Sequence, residues 1–262
     1  MLCVAPAAAR PPARVTRRPG PLRKPPLSSS SSSSSGYSAP GVRVVFASDA
    51  EGGPVPAAGP GRAVTVRLLP GEDGFGTEGH TTTRCLLAFL AREVPLHPGA
   101  PVLDYGAGCG VLGLAAHALG ARPVTGVENQ RDVLDVARRN ARLNSVPWGD
   151  EFQVLDPSAF SPGEGAALAV ANMLAGPLIS VALDVAAATR PGARVGLTGF
   201  RRRQAESVRL AYGPFVEFDP DTPVPCEEAP QGETDPEAWV AFFGTRNATE
   251  VSTASRSDEA VS

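Results

Sequence analysis

The sequence predicts a doubly wound α/β fold, a mostly parallel sheet with helices on both faces, and three observations carry that reading. From residue 101 to residue 198, short apolar runs alternate with segments of helical periodicity, the pattern of consecutive βαβ units. A glycine-rich loop, Gly106-Ala107-Gly108-Cys109-Gly110, stands between the first of these strands and its helix. Glu128 closes the next strand, about 20 residues further on, where such folds place a carboxylate.

The elements follow in order. A short strand over 63–69 precedes a Gly-rich turn over 70–77. His80 to Glu93 has amphipathic helical spacing, with Leu86, Leu87 and Leu90 on one side. Strand 101–104 leads to a helix near 111–119, then strand 123–127 and helix 132–144. Strand 152–155 is followed by a loop and strand 167–171. A helix over 177–189 precedes strand 193–198, and one more helix with strands 215–218 and 238–243 completes the pattern. Right-handed crossovers make the sheet mostly parallel.

The termini read differently. Of 24 Lys and Arg residues, seven precede Asp49, where no acidic residue occurs, and a serine run fills 28–35. Residues 1–48 thus have the composition of a disordered organelle transit peptide, Ser-rich enough to favour the plastid stroma over the mitochondrial matrix. Residues 49–62 read as a Gly/Pro/Ala linker, 63–246 as the folded domain and 247–262 as a polar, disordered tail. The remaining 17 basic residues face 27 acidic ones. So acidic a body argues against direct nucleic-acid binding and is compatible with a basic protein partner.

Other classes are excluded more simply. No apolar run reaches the length of a membrane helix, and the candidate over 166–188 is broken by Asn172, Gly176, Pro177 and Asp184. The cysteines (Cys3, Cys85, Cys109, Cys226) form no C-x-x-C pair and suit reduced thiols. His80, His97 and His117 have no ligand spacing, so no metal site is expected. The sequence carries no signature of oligomeric state.

The loop carries the chemistry. Gly108-x-Gly110-x-x-Gly113 also satisfies the dinucleotide fingerprint, which leaves an NAD(P)-dependent oxidoreductase as an alternative. Asp104 decides between them. It gives D-x-G-x-G-x-G, a typical methyltransferase arrangement, and can hold the ammonium of a bound methionine moiety directly or through the loop, whereas it would repel a pyrophosphate. The cofactor expected is S-adenosyl-L-methionine, with Gly106, Gly108 and Gly110 allowing close backbone approach and Glu128 taking the ribose diol. Asn172, ending a strand at the carboxyl edge of the sheet, adds a polar group where α/β ligands bind.

Three segments resemble one family in particular. Phe75-Gly76-Thr77-Glu78-Gly79-His80-Thr81-Thr82-Thr83, Asn172-Met173-Leu174-Ala175-Gly176-Pro177-Leu178 and Thr198-Gly199-Phe200 with Gln204-Ala205-Glu206 are similar, in order, to signatures of the ribosomal protein L11 lysine methyltransferases. The resemblance covers about residues 64–246 and implies a class I S-adenosylmethionine-dependent methyltransferase with a Rossmann-like seven-stranded sheet. It implies cofactor contacts from Thr83, Gly106, Glu128 and Asn172, with Asn172 also facing the amine. The activity it implies is methyl transfer to a lysine or amino-terminal amine of a protein such as a ribosomal protein. The related lysine methyltransferases of the electron transfer flavoprotein β-subunit are an alternative, and a catalytically silent methyltransferase-like binding protein is another.

The departures are specific. Thr81 stands where the family has proline, Glu78-Gly79 replaces its second Gly-Thr, and Glu128 replaces aspartate. With residues before 63 read as leader and linker, the family's N-terminal substrate-recognition domain is expected to be lacking. His80 reads as a helix-start hydrogen-bonding residue more readily than as a general base, Cys109 as a small filler, and Arg201–Arg203 as a solvated loop more readily than a substrate contact. Asn172 lacks the proline and aromatic partners of N-P-P-Y motifs, which argues against glutamine or nucleobase acceptors.

Overall fold

The computed structural model describes residues 36–46, 63–70, 80–162, 165–227 and 235–251. Strands β4 (Val102–Tyr105), β5 (Val124–Val127), β6 (Phe152–Leu155), β7 (Ala166–Asn172) and β8 (Thr189–Arg201) form the parallel part of one sheet. β11 (Trp239–Arg246) runs antiparallel to β8, and two short strands, β9 (Val216–Phe218) and β10 (Val224–Pro225), share its outer edge. The order is β10-β11-β8-β7-β4-β5-β6. It has seven positions, as the resemblance implied, but eight strands, because the outermost position is split.

Burial explains the strand sequences. Every residue of β4, and all of β7 except Asn172, is buried, as expected of strands covered on both faces. On one face lie α1 (Thr81–Glu93), α2 (Val111–Ala118) and α3 (Arg131–Leu143). Leu86, Leu90, Leu114 and Val136 there share a core with Val102 and Phe152. On the other face lie α4 (Ala175–Ser180), α5 (Ala182–Ala187) and α6 (Ala205–Tyr212), where Leu178, Val185, Val208 and Tyr212 pack on Leu103 and Leu197. α3 buries Val133, Val136, Ala137, Asn140 and Ala141, one helical stripe.

Three expectations are corrected. Residues 36–46, expected within a disordered leader over 1–48, are strands instead. β1 (Gly36–Ala39) and β2 (Val42–Phe46) form an antiparallel hairpin, and β2 pairs in parallel with β3 (Val64–Leu68). Alternation buries Val42, Val44, Val66 and Leu68 in the core beneath α1 and α2, and that burial offsets the cost of ordering the segment. The single helix over 177–189 is two short helices, because Val181 leaves the helical region at φ −102, ψ 8. Strand 193–198 extends to Thr189–Arg201, since β7 and β11 both supply partners, with the register shifting near the left-handed Gly192. Residues 1–35, the expected linker over 49–62, residues 71–77 of the turn expected over 70–77 and the expected tail beyond residue 251 lie outside the described residues, and no described helix is long and apolar enough to cross a membrane.

Candidate functional site

β4 lies between β5 and β7, so the order in which the parallel strands are added reverses at it, and the crevice at its carboxyl end is where open α/β sheets bind ligands. The glycine loop occupies that crevice. Gly106, Gly108 and Gly110 have φ of 78°, 52° and 82°, left-handed values that other residues rarely adopt. Gly106 is half-exposed, whereas Gly108 and Gly110 are buried. Gly106 therefore presents the backbone, and the other two shape the turn. A Cβ at Gly106 would lie 2.6 Å from Cγ of Met173.

The loop is tied from behind. The N–H groups of Gly106 and Ala107 both donate to Val127 O, at 2.8 and 3.0 Å. Asp104, wholly buried, accepts from Gly113 N–H through Oδ2 at 2.9 Å, which anchors the first turn of α2. Its Oδ1 has no partner among the described residues. Burial pushes its carboxyl up to about 7, opposed by the Gly113 bond and reinforced by the nearby Glu128 charge. Of the two routes expected for Asp104, its burial favours action through the loop.

Glu128 is the second fixed carboxylate. Oε1 accepts from Asn129 N–H at 2.9 Å and Gln130 N–H at 3.0 Å, and Oε2 accepts from Gly108 N–H at 3.0 Å. Three backbone donors thus hold the side chain at the end of β5 and join it to the loop.

The remaining predicted residues meet beside β7. Asn172 Nδ2 donates to Thr83 Oγ1 at 3.2 Å, so the strand end and the first turn of α1 are bonded side chain to side chain. Thr83 is buried and Asn172 half-buried. Met173, the next residue, overlies Gly106, and Leu174 is 55% exposed at the start of α4.

His80 is the N-cap of α1: its Nδ1 accepts from Thr82 N–H at 3.4 Å, and its ring meets Trp239 edge-on at 5.1 Å. Arg201 is no bare solvated loop residue. Its guanidinium covers the Trp239 ring at 3.6 Å from the centroid, and Arg203 pairs with Glu237. Cys109 is buried filler, its thiol pushed up to about 12 by burial. Among the described residues no group of three or more His, Cys, Asp and Glu side chains could hold a metal.

One contributor escaped the sequence reading. Asn140 on α3, fully buried, donates through Nδ2 to Cys109 O at 2.9 Å and accepts from Leu69 N–H at 2.9 Å. It clamps the glycine loop to the end of β3. A polar residue inside the apolar stripe of α3 was the available signal.

Comparison with known proteins matches this geometry to a family. The profile of the ribosomal protein L11 methyltransferases (PrmA) matches residues 54–222. The ribosomal protein L11 methyltransferase of Alkalilimnicola ehrlichii is 36% identical over 184 residues, 70% of this chain and 57% of that protein. That of Cupriavidus metallidurans is 37% identical over 186 residues, 71% of this chain and 55% of that protein. The chain thus spans little more than half the length of these curated relatives. The ribosomal protein L11 methylase of Lactobacillus delbrueckii subsp. bulgaricus superposes with TM-score 0.58 at 22% identity, covering 79% of this chain and 94% of that one. A methyltransferase from Pyrococcus furiosus gives TM-score 0.51 at 13% identity, with 70% and 89% covered. The fold is that of the class I S-adenosylmethionine-dependent methyltransferases.

The relatives also overturn the organellar address. They are bacterial proteins, which contradicts the expected plastid or mitochondrial address and leaves the transit-peptide reading without support. With a profile matching most of the chain, relatives above one-third identity and the superposed fold all in agreement, the chain belongs to the ribosomal protein L11 methyltransferase (PrmA) family.

Proposed function

We propose that this protein is an S-adenosylmethionine-dependent protein N-methyltransferase that methylates a lysine or amino-terminal amine of a ribosomal protein. The carrying observation is the convergence, at one crevice, of a left-handed glycine loop, a backbone-anchored Glu128 and the bonded Asn172–Thr83 pair.

S-Adenosylmethionine is the family's methyl donor, and its sulfonium supplies an activated methyl group. The residues present fit it. The left-handed, half-exposed Gly106 leaves a surface without a side chain for close approach. Glu128 has roughly four lone-pair positions, of which three are taken by backbone N–H groups. The remaining one accepts a ribose hydroxyl, and the bond from Gly108 yields if both hydroxyls bind. Asp104, beneath the loop, holds Gly113 N–H and so fixes the turn that carries Gly106, without touching the ligand.

On the acceptor side, Asn172 commits Nδ2 to Thr83 and keeps Oδ1 as a hydrogen-bond acceptor. An acceptor there takes an amine N–H and directs the nitrogen lone pair away from itself. A lysine amine with its ordinary pKa of ~10.4 is charged at neutral pH and unreactive. The exposed apolar side chain of Leu174 beside Asn172 favours the neutral form by desolvation. In-line methyl transfer then needs orientation above all, and orientation can contribute about 7–11 kcal/mol.

The test is thermal unfolding of the full chain with S-adenosylhomocysteine and NADH compared side by side. Stabilisation by S-adenosylhomocysteine alone supports the reading, since a ligand that binds the folded state raises its apparent stability. Stabilisation by NADH alone contradicts it.

A further inference from the structure

Met173 stands between the two halves of the crevice, packed against a left-handed glycine on either side. In front, its side chain lies along the glycine loop: a Cβ at Gly106 (φ 78°) would meet Cγ at 2.6 Å, Sδ at 2.8 Å and Cε at 3.5 Å. Behind, its backbone rests on buried Gly199 (φ 95°). A Cβ there would run into the Met173 carbonyl oxygen and come within 2.6 Å of its carbonyl carbon and 2.7 Å of its nitrogen. Neither approach leaves room for a side chain on the glycine.

The sheet explains why the chain comes so close at Gly199. β11 pairs Val240 with Phe200 and Ala241 with Thr198, so Gly199 is the extra residue of a β-bulge. The bulge lies where β7 ends, because Asn172 pairs with Thr198. Met173 N–H donates to Thr198 O at 3.0 Å, which holds the Met173 backbone against the bulge. Thr83 holds the Asn172 amide at 3.2 Å. Residues 172 and 173 are therefore fixed from β8 and from α1, and only the Met173 side chain reaches forward to the loop.

That reach continues a contact the backbone cannot. Tyr105, the last residue of β4, pairs with Ala171 on β7, and the ladder stops there. One residue further on, Gly106 turns away and donates to Val127 O on β5. The Met173 side chain fills the space that opens, as an unbranched thioether with three rotatable bonds can. The rest of Gly106 stays half-exposed and is the surface left to the cofactor.

We propose that Met173 is a positioning residue, which sets the separation between the glycine loop and Asn172 and so aligns the methyl donor with the amine. The alignment rests on the proposed function, whereas the packing link does not. Shortening the side chain uncovers one face of Gly106 and leaves the bonds of Glu128, Thr83 and Asn172 in place. Cofactor affinity should then change little, while an in-line transfer that depends on orientation should slow.

The experiment compares the wild-type full chain with Met173→Ala and Met173→Leu in three readouts. These are amide hydrogen exchange of the ligand-free protein, calorimetric titration with S-adenosylhomocysteine, and methyl transfer to purified bacterial ribosomal protein L11. In Met173→Ala, exchange in the loop peptide should rise about 10-fold, with peptides from α2 and β8 unchanged. Its kcat should fall about 10- to 100-fold, with KM for L11 and S-adenosylhomocysteine affinity within about 3-fold of wild type. Met173→Leu, close in volume, should restore both exchange and kcat. If Met173→Ala does not fold, Met173→Val, which keeps Cγ but removes Sδ and Cε, takes its place. Wild-type loop exchange or wild-type turnover in Met173→Ala would overturn the positioning role. Equal losses of kcat and affinity, or a leucine that restores neither readout, would overturn it too. A wild-type chain that binds no S-adenosylhomocysteine or labels no amine contradicts the proposed function instead, and the packing link then stands or falls on the exchange data.

Discussion

The amide of Asn172 and the hydroxyl of Thr83, 89 residues apart in sequence, are bonded at 3.2 Å. This single contact joins the carboxyl end of β7 to the first turn of α1 and sets the rotation of the Asn172 amide.

Removing either partner should separate catalysis from folding. Asn172→Ala should lower methyl transfer by about 10- to 100-fold, the equivalent of ~1–3 kcal/mol for a lost oriented hydrogen bond. Thr83→Val leaves the amide without its acceptor and should lower turnover more than it lowers stability, and Thr83→Ser should restore both. Steady-state rates and urea unfolding of the three variants check this. Equal loss of stability and turnover in Thr83→Val and Thr83→Ser would contradict an orienting role for the hydroxyl.

Gly106→Ala should weaken S-adenosylhomocysteine binding by about 10-fold or more, because a left-handed non-glycine residue costs roughly 1–2 kcal/mol and the new methyl meets Met173. Adding Met173→Ala removes the steric conflict but not the backbone strain, so the double variant should recover only part of the affinity. Calorimetric titration distinguishes partial from full recovery.

Asp104 predicts a pH dependence of stability. Its folded-state pKa is raised to about 7 by burial, from 3.8. Between those values the folded protein holds a proton that the unfolded chain has released. Stability is therefore greatest below about pH 4 as far as this group is concerned, falls as pH rises to about 7, and is flat above. The whole fall is on the order of 4 kcal/mol. Asp104→Asn, which cannot titrate, should flatten this part of the profile in urea unfolding between pH 4.5 and 7.5. Parallel profiles for the two proteins would contradict the assignment.

Asn140→Leu keeps the volume but strips the partners from Cys109 C=O and Leu69 N–H. The expected destabilisation is about 2–5 kcal/mol, the cost of two unpaired buried backbone groups. A change of less than ~1 kcal/mol would show that the clamp is replaceable by solvent.

Much of this site was legible before the structure, for physical reasons. The glycine loop and Glu128 can be read because strand, tight turn, helix and following strand impose fixed spacings on few residue types. Asn172 was marked by its place at a strand's carboxyl end and Thr83 by the family resemblance, and only the fold shows that they are bonded to each other. Asn140 was hidden because its partners are backbone groups 31 and 71 residues away. The β1–β2 hairpin was hidden by its setting. Val42-Arg43-Val44 alternates as a strand should, but it follows an Arg- and Ser-rich stretch whose composition dominated the reading. The break between α4 and α5 has no breaker residue at Val181 to announce it.

The most direct measurement is transfer of labelled methyl from S-adenosylmethionine, by the full chain, onto purified bacterial ribosomal protein L11, with the modified residue located by mass. The account predicts label on a lysine ε-amine or the amino-terminal amine, reduced at least 10-fold in Asn172→Ala. A chain that binds S-adenosylhomocysteine yet labels no amine, or labels equally well without Asn172, would contradict it.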